Sequence, residues 1–295
     1  MPSYRFCRPD DIPFLVRAVN ECYVPHFPGT PPMSVEAFRR EMKELDLWPS
    51  SCLVAADDER PVAVLTGTKR ADETLISRIG VRPGETGREH GTHLVTSLSQ
   101  KLAVLGPPRL VAEVPADLPR VARFFERLGW RREATFTDWR RPAAAGAGEP
   151  VPPGLVAPVT VDELAASGVL AAPAGAAWPR TRRTLLNRRE SLVGLAVASP
   201  DRIEAWVVHD PAGETGPPGG EAGPVEVVGF GVADEERREL LLGALLRHLI
   251  AVAAAGRPVR LARLAEGELP EPLLAGLGFA PDSEYHRYAA EAKPL

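Results

Sequence analysis

A turn with three glycines, residues 82–93, is the part of the sequence whose residue types most directly indicate chemistry. Gly84, Gly87 and Gly91 lie in it, and a helical pattern of apolar residues follows. The first N–H groups of a helix have no partner within the helix, and the helix dipole adds partial positive charge there. Such a turn suits a phosphate or pyrophosphate group. The glycine spacing alone is not specific, since an ordinary strand–turn–helix connection has the same glycines.

The segments on either side of the turn are predicted to be a buried strand and an amphipathic helix. Residues 75–81 are mostly apolar and include β-branched side chains, which favours a strand. After the turn, apolar residues recur at helical spacing from Leu94 to Leu105. The strand would therefore lead directly into the turn, and the helix would direct its N–H groups at one point.

Composition excludes several classes of protein. The chain has 35 basic and 39 acidic residues, a net charge of −4, so no general nucleic-acid partner is expected. Three cysteines without paired spacing predict neither a disulfide framework nor a metal site, and they favour a reducing, cytoplasmic location. The most apolar stretch, residues 240–256, contains Arg247 and His248, so no membrane partner is expected.

The length of 295 residues predicts two domains. A stretch rich in Pro, Gly and Ala, residues 142–158, is predicted to be a linker. The predicted domains are residues 1–141 and 159–295. In both, strands and helices alternate in a similar order, which predicts an α/β fold with a mixed, twisted sheet flanked by helices.

The order of elements favours a duplication of one domain. Residues 127–130 (Arg-Leu-Gly-Trp) match residues 276–279 (Gly-Leu-Gly-Phe), and residues 81–94 and 232–245 each join a strand to a helix over the same length. Chance similarity between two α/β domains is the alternative. The shared order of elements makes duplication the better interpretation.

Two signatures resemble the GCN5-related N-acetyltransferase (GNAT) superfamily. The first is Val81-Arg82-Pro83 at the end of a strand, followed by the turn Thr86–Gly91 and a helix. The second is Phe125–Trp130 at the end of a later helix. The opening residues 6–13 are also similar to the first strand and helix of this superfamily. The resemblance covers residues 4–140 and, more weakly, residues 158–290, so the chain resembles a tandem GNAT protein.

The resemblance implies that acetyl-CoA is the co-substrate. The pantetheine arm would pair with a strand edge, the turn and helix start would bind the pyrophosphate, and the N–H of Val81 would polarise the thioester carbonyl. The implied cofactor-binding residues are Ile79, Val81, Thr86, Gly87, Arg88, Glu89, His90, Gly91, Thr92 and Phe125.

The sequence departs from the superfamily pattern at three of these positions. Thr86 replaces an arginine or glutamine, Glu89 replaces a glycine, and Phe125 replaces a tyrosine that often protonates the leaving thiolate. Arg88, or a protonated His90, would offset the charge of Glu89. The corresponding turn of the second half has carboxylates and lacks the first glycines, so that domain is predicted not to bind CoA.

Further side chains have two interpretations each. Glu113 is either a general base whose pKa is raised by burial or a solvent-facing strand residue. Tyr23, His26 and Phe27 lie between the first two helices, where the superfamily often forms its acceptor pocket, or they are packing residues. Arg78 faces opposite to Ile79 and either binds an acidic acceptor or pairs with a carboxylate.

The resemblance therefore implies an acyltransferase that moves an acetyl group from acetyl-CoA to a primary amine by direct attack in a ternary complex. The expected acceptor is a small molecule or a peptide, and the protein is expected to be a monomer or a homodimer. The alternative is a catalytically inactive GNAT-like binding or scaffold protein.

Overall fold

The computed structural model describes residues 2–143, 156–171, 175–199, 201–213, 223–254 and 256–294. The chain forms two compact units. Unit 1 contains Met1–Glu133 together with His286–Leu295, and unit 2 contains Ala134–Tyr285. Each unit is a mixed sheet with helices on its faces, which confirms the predicted fold class.

The first half of the chain contributes six strands and four helices. The strands are β1 (Ser3–Phe6), β2 (Leu53–Asp57), β3 (Arg60–Lys69), β4 (Glu73–Val81), β5 (Arg109–Pro115) and β6 (Arg131–Arg141). The helices are α1 (Ile12–Cys22), α2 (Val35–Leu45), α3 (His90–Leu105) and α4 (Pro119–Arg127).

The second half repeats this arrangement with shorter helices. Its strands are β7 (Ala157–Val159), β8 (Val193–Ala198), β9 (Ile203–Asp210), β10 (Val225–Val232), β11 (Val259–Ala265) and β12 (Ala280–Glu291). Its helices are α5 (Val161–Ala166), α6 (Arg182–Asn187), α7 (Arg238–His248) and α8 (Glu271–Gly276). One turn of π-helix, Leu249–Ala253, continues α7.

The sheet of unit 1 has the strand order β1-β2-β3-β4-β5-β12. The pairs from β1 to β4 are antiparallel and β4 pairs with β5 in parallel. One core lies between the sheet and α1 and α2, around Leu15 and Phe38. The other lies under α3 and α4, around Leu94, Leu98 and Phe125. The sheet is therefore covered on both faces, as its long apolar strands require.

The sheet of unit 2 has the equivalent order β7-β8-β9-β10-β11-β6, with β10 and β11 parallel. Its last strand, β6, pairs with β11 in antiparallel fashion, with Leu261 opposite Trp139 and Leu264 opposite Thr137. Residues 134–141 of β6 thus belong to unit 2, and residues 286–291 of β12 belong to unit 1. The two halves of the chain exchange their last strands, so the compact units do not coincide with the predicted domains 1–141 and 159–295.

Local signals explain where several elements begin. Ser34 caps α2 because its Oγ accepts a hydrogen bond from the N–H of Ala37 at 3.1 Å. Asp11 precedes α1 without capping it, since its carboxylate binds the guanidinium of Arg5 at 2.6 Å instead. That hydrogen bond from Arg5 lowers the pKa of Asp11. The sequence predicts helices over residues 12–22, capped by Asp10 or Asp11, and 35–45, capped by Ser34. The structure confirms both pairs of bounds and the cap at Ser34, but it gives Asp11 another partner.

The predicted linker contains a strand that the sequence analysis does not predict. Residues 157–159 form β7, which pairs with β8, while residues 144–155 lie outside the described residues. Among the helices that the structure describes, none is long and apolar enough to cross a lipid bilayer.

Candidate functional site

A cleft opens between β4 and β5 of unit 1. The two strands pair in parallel from Glu73 opposite Arg109 to Ile76 opposite Ala112, and within the described part of the chain the pairing goes no further. Both strands continue beyond that point, β4 to Val81 and β5 to Pro115. A register shift in β4, just after Ile76, accompanies the separation. The result is a strand edge inside the sheet that is open to another extended chain.

The open edge is formed by the backbone groups of Ile79 and Val81. The N–H of Arg82 donates to the carbonyl of Val62 on β3 at 2.9 Å. Backbone groups alternate between the two edges of a strand, so those of Gly80 also face β3 and those of Ile79 and Val81 face the cleft. This is the edge to which the sequence analysis assigns the pantetheine arm.

Gly80 allows α1 to end directly on β4. A Cβ atom at this position would lie 2.8 Å from the carbonyl carbon of Cys22 and 2.8 Å from the Cα of Tyr23. No side chain other than hydrogen fits in this space. The close approach fixes the segment after α1 beside the open edge of β4.

The turn after β4 leads to a helix start without a side-chain cap. Gly84 and Gly87 have φ values of +90° and +82°, which favour glycine. The first main-chain hydrogen bond of α3 is from the N–H of His93 to the carbonyl of Glu89 at 3.0 Å. Among the residues described, no side chain accepts a hydrogen bond from the N–H groups of residues 90–92. With the dipole of a 16-residue helix behind them, these groups suit an anion.

Glu89 adopts a left-handed backbone conformation, which favours glycine. Its φ is +62° and its ψ is 10°, in the left-handed region, and the residue is exposed. Such a conformation costs a non-glycine residue about 1 kcal/mol. Thr86 and Arg88 are also exposed, and Arg88 forms an ion pair with Glu85 at 2.7 Å. The turn therefore holds a non-glycine residue in a conformation that favours glycine, with its side chain exposed.

The side chain of His90 points into the protein and not toward the turn's surface. It is 6% exposed, and its Nδ1 lies 2.6 Å from the hydroxyl of Tyr4. The expectation that the imidazole offsets the charge of Glu89 is therefore corrected. Only the main-chain N–H of His90 remains a candidate for binding an anion.

Phe125 lies in the core, and the neighbouring Phe124 lies beside the cleft. Phe125 is 1% exposed and contacts Trp130 and Tyr288, with ring centroids 4.8 Å and 6.2 Å away. A Cβ at Gly91 would lie 3.4 Å from the ring of Phe124 and 3.8 Å from Ile79. The placement of Phe125 at the cofactor site is thus corrected, and Phe124 is a site residue that the sequence analysis missed.

Glu113 forms a buried ion pair with Arg287 of β12. The guanidinium is 2.7 Å from the carboxylate, and both side chains are 5% exposed. Glu113 is therefore not a solvent-facing residue, which corrects one interpretation. Its carboxylate is also engaged by the guanidinium of Arg287, so the structure does not favour Glu113 as the general base.

The residues expected near the acceptor form a group at the end of α1. The rings of Tyr23 and Phe27 have centroids 4.6 Å apart, and the guanidinium of Arg78 lies 5.7 Å from the ring of Tyr23. Arg78 also forms a bidentate ion pair with Glu41 of α2, one contact being 2.8 Å long. Burial opposes the charge of Arg78, but the Glu41 bonds raise its pKa. Of the two interpretations for Arg78, the structure shows pairing with a carboxylate.

His26 reaches the open edge itself. Its Nε2 lies 2.7 Å from the carbonyl oxygen of Val81, and the residue is exposed. His26 is predicted to lie near the acceptor, but no sequence pattern indicates its contact with Val81, because the two residues are 55 positions apart.

Unit 2 has the same cleft in outline, but its own side chains fill it. The parallel pairing of β10 with β11 ends at Val227 opposite Leu261. Beyond it, Arg180 donates to the carbonyl of Arg263 at 3.2 Å and pairs with Glu268 through two contacts of 2.5 Å. Its guanidinium also lies 4.8 Å from the ring of Phe230 on β10.

The turn of unit 2 is also short and acidic. Five residues separate β10 from α7, compared with eight between β4 and α3. The carboxylate of Asp234 accepts a hydrogen bond from the N–H of Glu236 at 3.0 Å, and Glu235 pairs with Arg238. In this turn of unit 2, a backbone N–H group is therefore bound by a carboxylate of the chain itself, whereas the N–H groups at the start of α3 in unit 1 have no such side-chain acceptor within the part of the chain that is described.

Comparison with known proteins identifies the family. Residues 15–130 match the sequence model of the Acetyltransferase (GNAT) family. The chain is 32% identical over 266 residues to a mycothiol acetyltransferase from Frankia alni, covering 81% of this chain and 78% of that protein. The chain belongs to the GNAT acetyltransferase family. The alignment with this relative spans both units, so the membership applies to the tandem, two-domain form of the family.

Two solved structures show the same GNAT fold over almost the whole chain. A tandem GNAT protein from the clavulanic acid biosynthesis pathway has a TM-score of 0.68 and 20% identity, with 100% of each chain covered. A GNAT protein from Sphaerobacter thermophilus has a TM-score of 0.67 and 18% identity, covering 99% of this chain and 96% of that chain. At this level of identity the likeness concerns the fold only.

Proposed function

We propose that unit 1 binds acetyl-CoA and transfers its acetyl group to a primary amine by direct attack in a ternary complex. The observation that carries this proposal is that an open strand edge and an uncapped helix N-terminus follow one another along the chain. The open edge of β4 at Ile79 and Val81 leads through the glycine turn to the uncapped N-terminus of α3. An extended arm with an anionic end needs both features, in this order along the chain.

The residues present fit this ligand. The backbone groups of Ile79 and the N–H of Val81 face the cleft, where the arm would lie, while the carbonyl of Val81 is already bound by His26. The N–H groups of residues 87–92 belong to the turn and helix start that would bind the pyrophosphate. Gly91 keeps the helix start free of a side chain where Phe124 and Ile79 approach. Bound acetyl-CoA supplies an activated acyl thioester. The N–H of Val81 then stabilises the negative charge that develops on the carbonyl oxygen.

The acceptor would enter beside Tyr23, His26 and Phe27. Arg78 is engaged by Glu41, so we assign it to positioning Tyr23 and not to binding an acidic acceptor. The relative from Frankia alni is named an acetyltransferase, which supports the class of reaction. We propose no identity for the acceptor beyond an amine of a small molecule or a peptide.

We further propose that unit 2 does not bind CoA, because Arg180 and Glu268 fill its cleft and its turn is acidic. One specific observation favours the alternative, a catalytically inactive GNAT-like binding protein. Phenylalanine at position 125 cannot donate a proton, and the structure buries this residue in the core. The experiment must therefore separate binding from turnover.

Isothermal titration with acetyl-CoA tests binding, and the expected stoichiometry is one per chain. Gly91→Trp should abolish binding because its side chain meets Phe124 and Ile79. Arg180→Ala is the matched variant in unit 2 and should leave the stoichiometry at one. No heat of binding near millimolar acetyl-CoA would reject the proposal.

Release of free thiol, measured over a panel of amines, tests turnover. Release that depends on Gly91 would reject the inactive alternative. Tight binding without release over the whole panel would favour it.

A further inference from the structure

The imidazole of His26 lies against the open edge of β4, and the proposed function gives this ring no chemical role. The Nε2 of His26 is 2.7 Å from the carbonyl oxygen of Val81. The N–H of Val81 lies on the same edge, since the N–H and C=O of one strand residue face the same way. His26 is therefore next to the backbone group assigned above to the thioester carbonyl.

The contact fixes which nitrogen of His26 carries the proton. A carbonyl oxygen only accepts hydrogen bonds, so Nε2 must be the donor. In the neutral ring Nδ1 then holds a free electron pair. When Nδ1 takes up a proton, Nε2–H keeps its hydrogen bond to the carbonyl of Val81.

Backbone hydrogen bonds fix the main chain at His26 and at the residue after it. Residues 24–26 form a short 3-10 turn in which the N–H of His26 donates to the carbonyl of Tyr23 at 3.0 Å. The N–H of Phe27 donates to the carbonyl of Val24 at 3.0 Å. Because Gly80 fixes the end of α1 on β4, the ring has a defined position relative to the cleft.

The charged groups on the elements packed here already have partners. Arg82, just after β4, pairs with Glu21 of α1, and Arg78 of β4 pairs with Glu41 of α2. The ring of Tyr23 packs against that of Phe27 at a tilt of 35°. Glu113, the candidate base from the sequence, is held by Arg287, so it does not supply the proton acceptor that the reaction needs.

We propose that Nδ1 of His26 is the general base that removes a proton from the acceptor ammonium group, an inference that rests on the proposed function. An aliphatic amine is protonated at neutral pH and must lose a proton before it attacks. The amine nitrogen then bonds to the acyl carbon, the C–S bond breaks, and its electron pair stays on sulfur. The nitrogen of the new amide gives up a second proton to the thiolate, which leaves as the thiol, and the proton on Nδ1 passes to the solvent.

Kinetics of His26→Gln and His26→Ala as a function of pH test this assignment. Glutamine keeps an N–H donor for Val81 but has no basic nitrogen. Both variants should lose about 100-fold in kcat/KM for the amine at pH 7, within the usual range for general-base catalysis. The loss should shrink as the pH approaches the pKa of the amine, and added imidazole should restore activity to His26→Ala. The Kd for acetyl-CoA should stay unchanged.

Three results would overturn the assignment while leaving the proposed function in place. The first is a loss that is the same at every pH, and the second is full activity of His26→Gln. The third is tighter acetyl-CoA binding by His26→Ala without a loss in kcat, which would mean that the ring competes with the pantetheine arm. A wild-type protein that binds no acetyl-CoA would instead reject the proposed function, and the assignment with it.

Discussion

The guanidinium of Arg287 lies 2.7 Å from the carboxylate of Glu113, and both side chains are 5% exposed. Glu113 directly follows Ala112, the last residue of β5 that pairs with β4. Arg287 belongs to β12, 174 positions later in the chain. A residue near the C-terminus is thus bound at the point where the cleft opens. The β5 side of the proposed site depends on the last strand of the chain.

Arg287→Ala should lower the free energy of unfolding by about 3–5 kcal/mol, because it removes the guanidinium that neutralises a buried carboxylate. Denaturant titration of the full chain measures this loss. The double variant Glu113→Leu/Arg287→Leu removes both charges and should be less destabilised than Arg287→Ala. An equal loss in both variants would mean that packing, and not the unpaired charge, determines the effect.

Glu89 should weaken the binding of acetyl-CoA through its charge. Glu89→Gln removes the carboxylate and keeps the left-handed backbone, so titration should show a lower Kd than in the wild type. Glu89→Gly should bind at least as tightly, and its Tm should change little. Relief of the positive φ and the added flexibility of glycine are each about 1 kcal/mol and oppose one another. An unchanged Kd in Glu89→Gln would show that the carboxylate does not face the ligand.

Substitution of Phe125 should mainly lower the stability of the fold, whereas substitution of Phe124 should mainly raise the KM for acetyl-CoA. Phe125→Ala leaves a cavity in the core and should cost about 3–5 kcal/mol of stability. Phe124→Ala removes a half-buried ring beside Gly91 and Ile79, so it should raise the KM for acetyl-CoA while costing less stability. Denaturation curves and initial rates on both variants compare these effects. If Phe125→Ala had a higher KM for acetyl-CoA and unchanged stability, Phe125 would belong to the binding site and not to the core.

The features that the sequence predicts well are those set by neighbours in the chain. The bounds of α1 and α2 follow from apolar periodicity and, for α2, from the cap at Ser34. The glycine turn and the start of α3 follow from the three glycines and the helical pattern after them. These features need only local chemistry, so a single sequence contains enough information to predict them. The open edge at Ile79 and Val81 is instead what the resemblance to the GNAT superfamily implies.

The features that the sequence does not predict depend on contacts between distant segments. The exchange of β6 and β12 concerns which sheet each strand joins. The residue pattern of either strand is the same whichever sheet it joins, so the sequence does not predict the exchange. The rotation of α4, which places Phe124 at the cleft and Phe125 in the core, is set by Trp130 and Tyr288. The contact of His26 with Val81 depends on the path of a loop, which no periodic pattern specifies.

His209 of β9 should make unit 2 sensitive to acid. The residue is 2% exposed, and burial lowers its pKa, although Asp210 opposes the shift. The unfolded chain therefore binds a proton below a pKa of 6.5, at pH values where the folded ring stays neutral. The free energy of unfolding should be highest above that pH and fall as the pH drops toward the folded pKa, by up to about 1.4 kcal/mol per pH unit.

Denaturant titrations of His209→Leu at pH 7.5 and pH 5.5 check this effect. Nδ1 of His209 has no hydrogen-bond partner among the described residues, so an apolar side chain of similar volume should fit. The variant should lose less stability than the wild type between the two pH values, because it has no proton to take up on unfolding. An identical loss in both proteins would show that other groups cause the acid sensitivity.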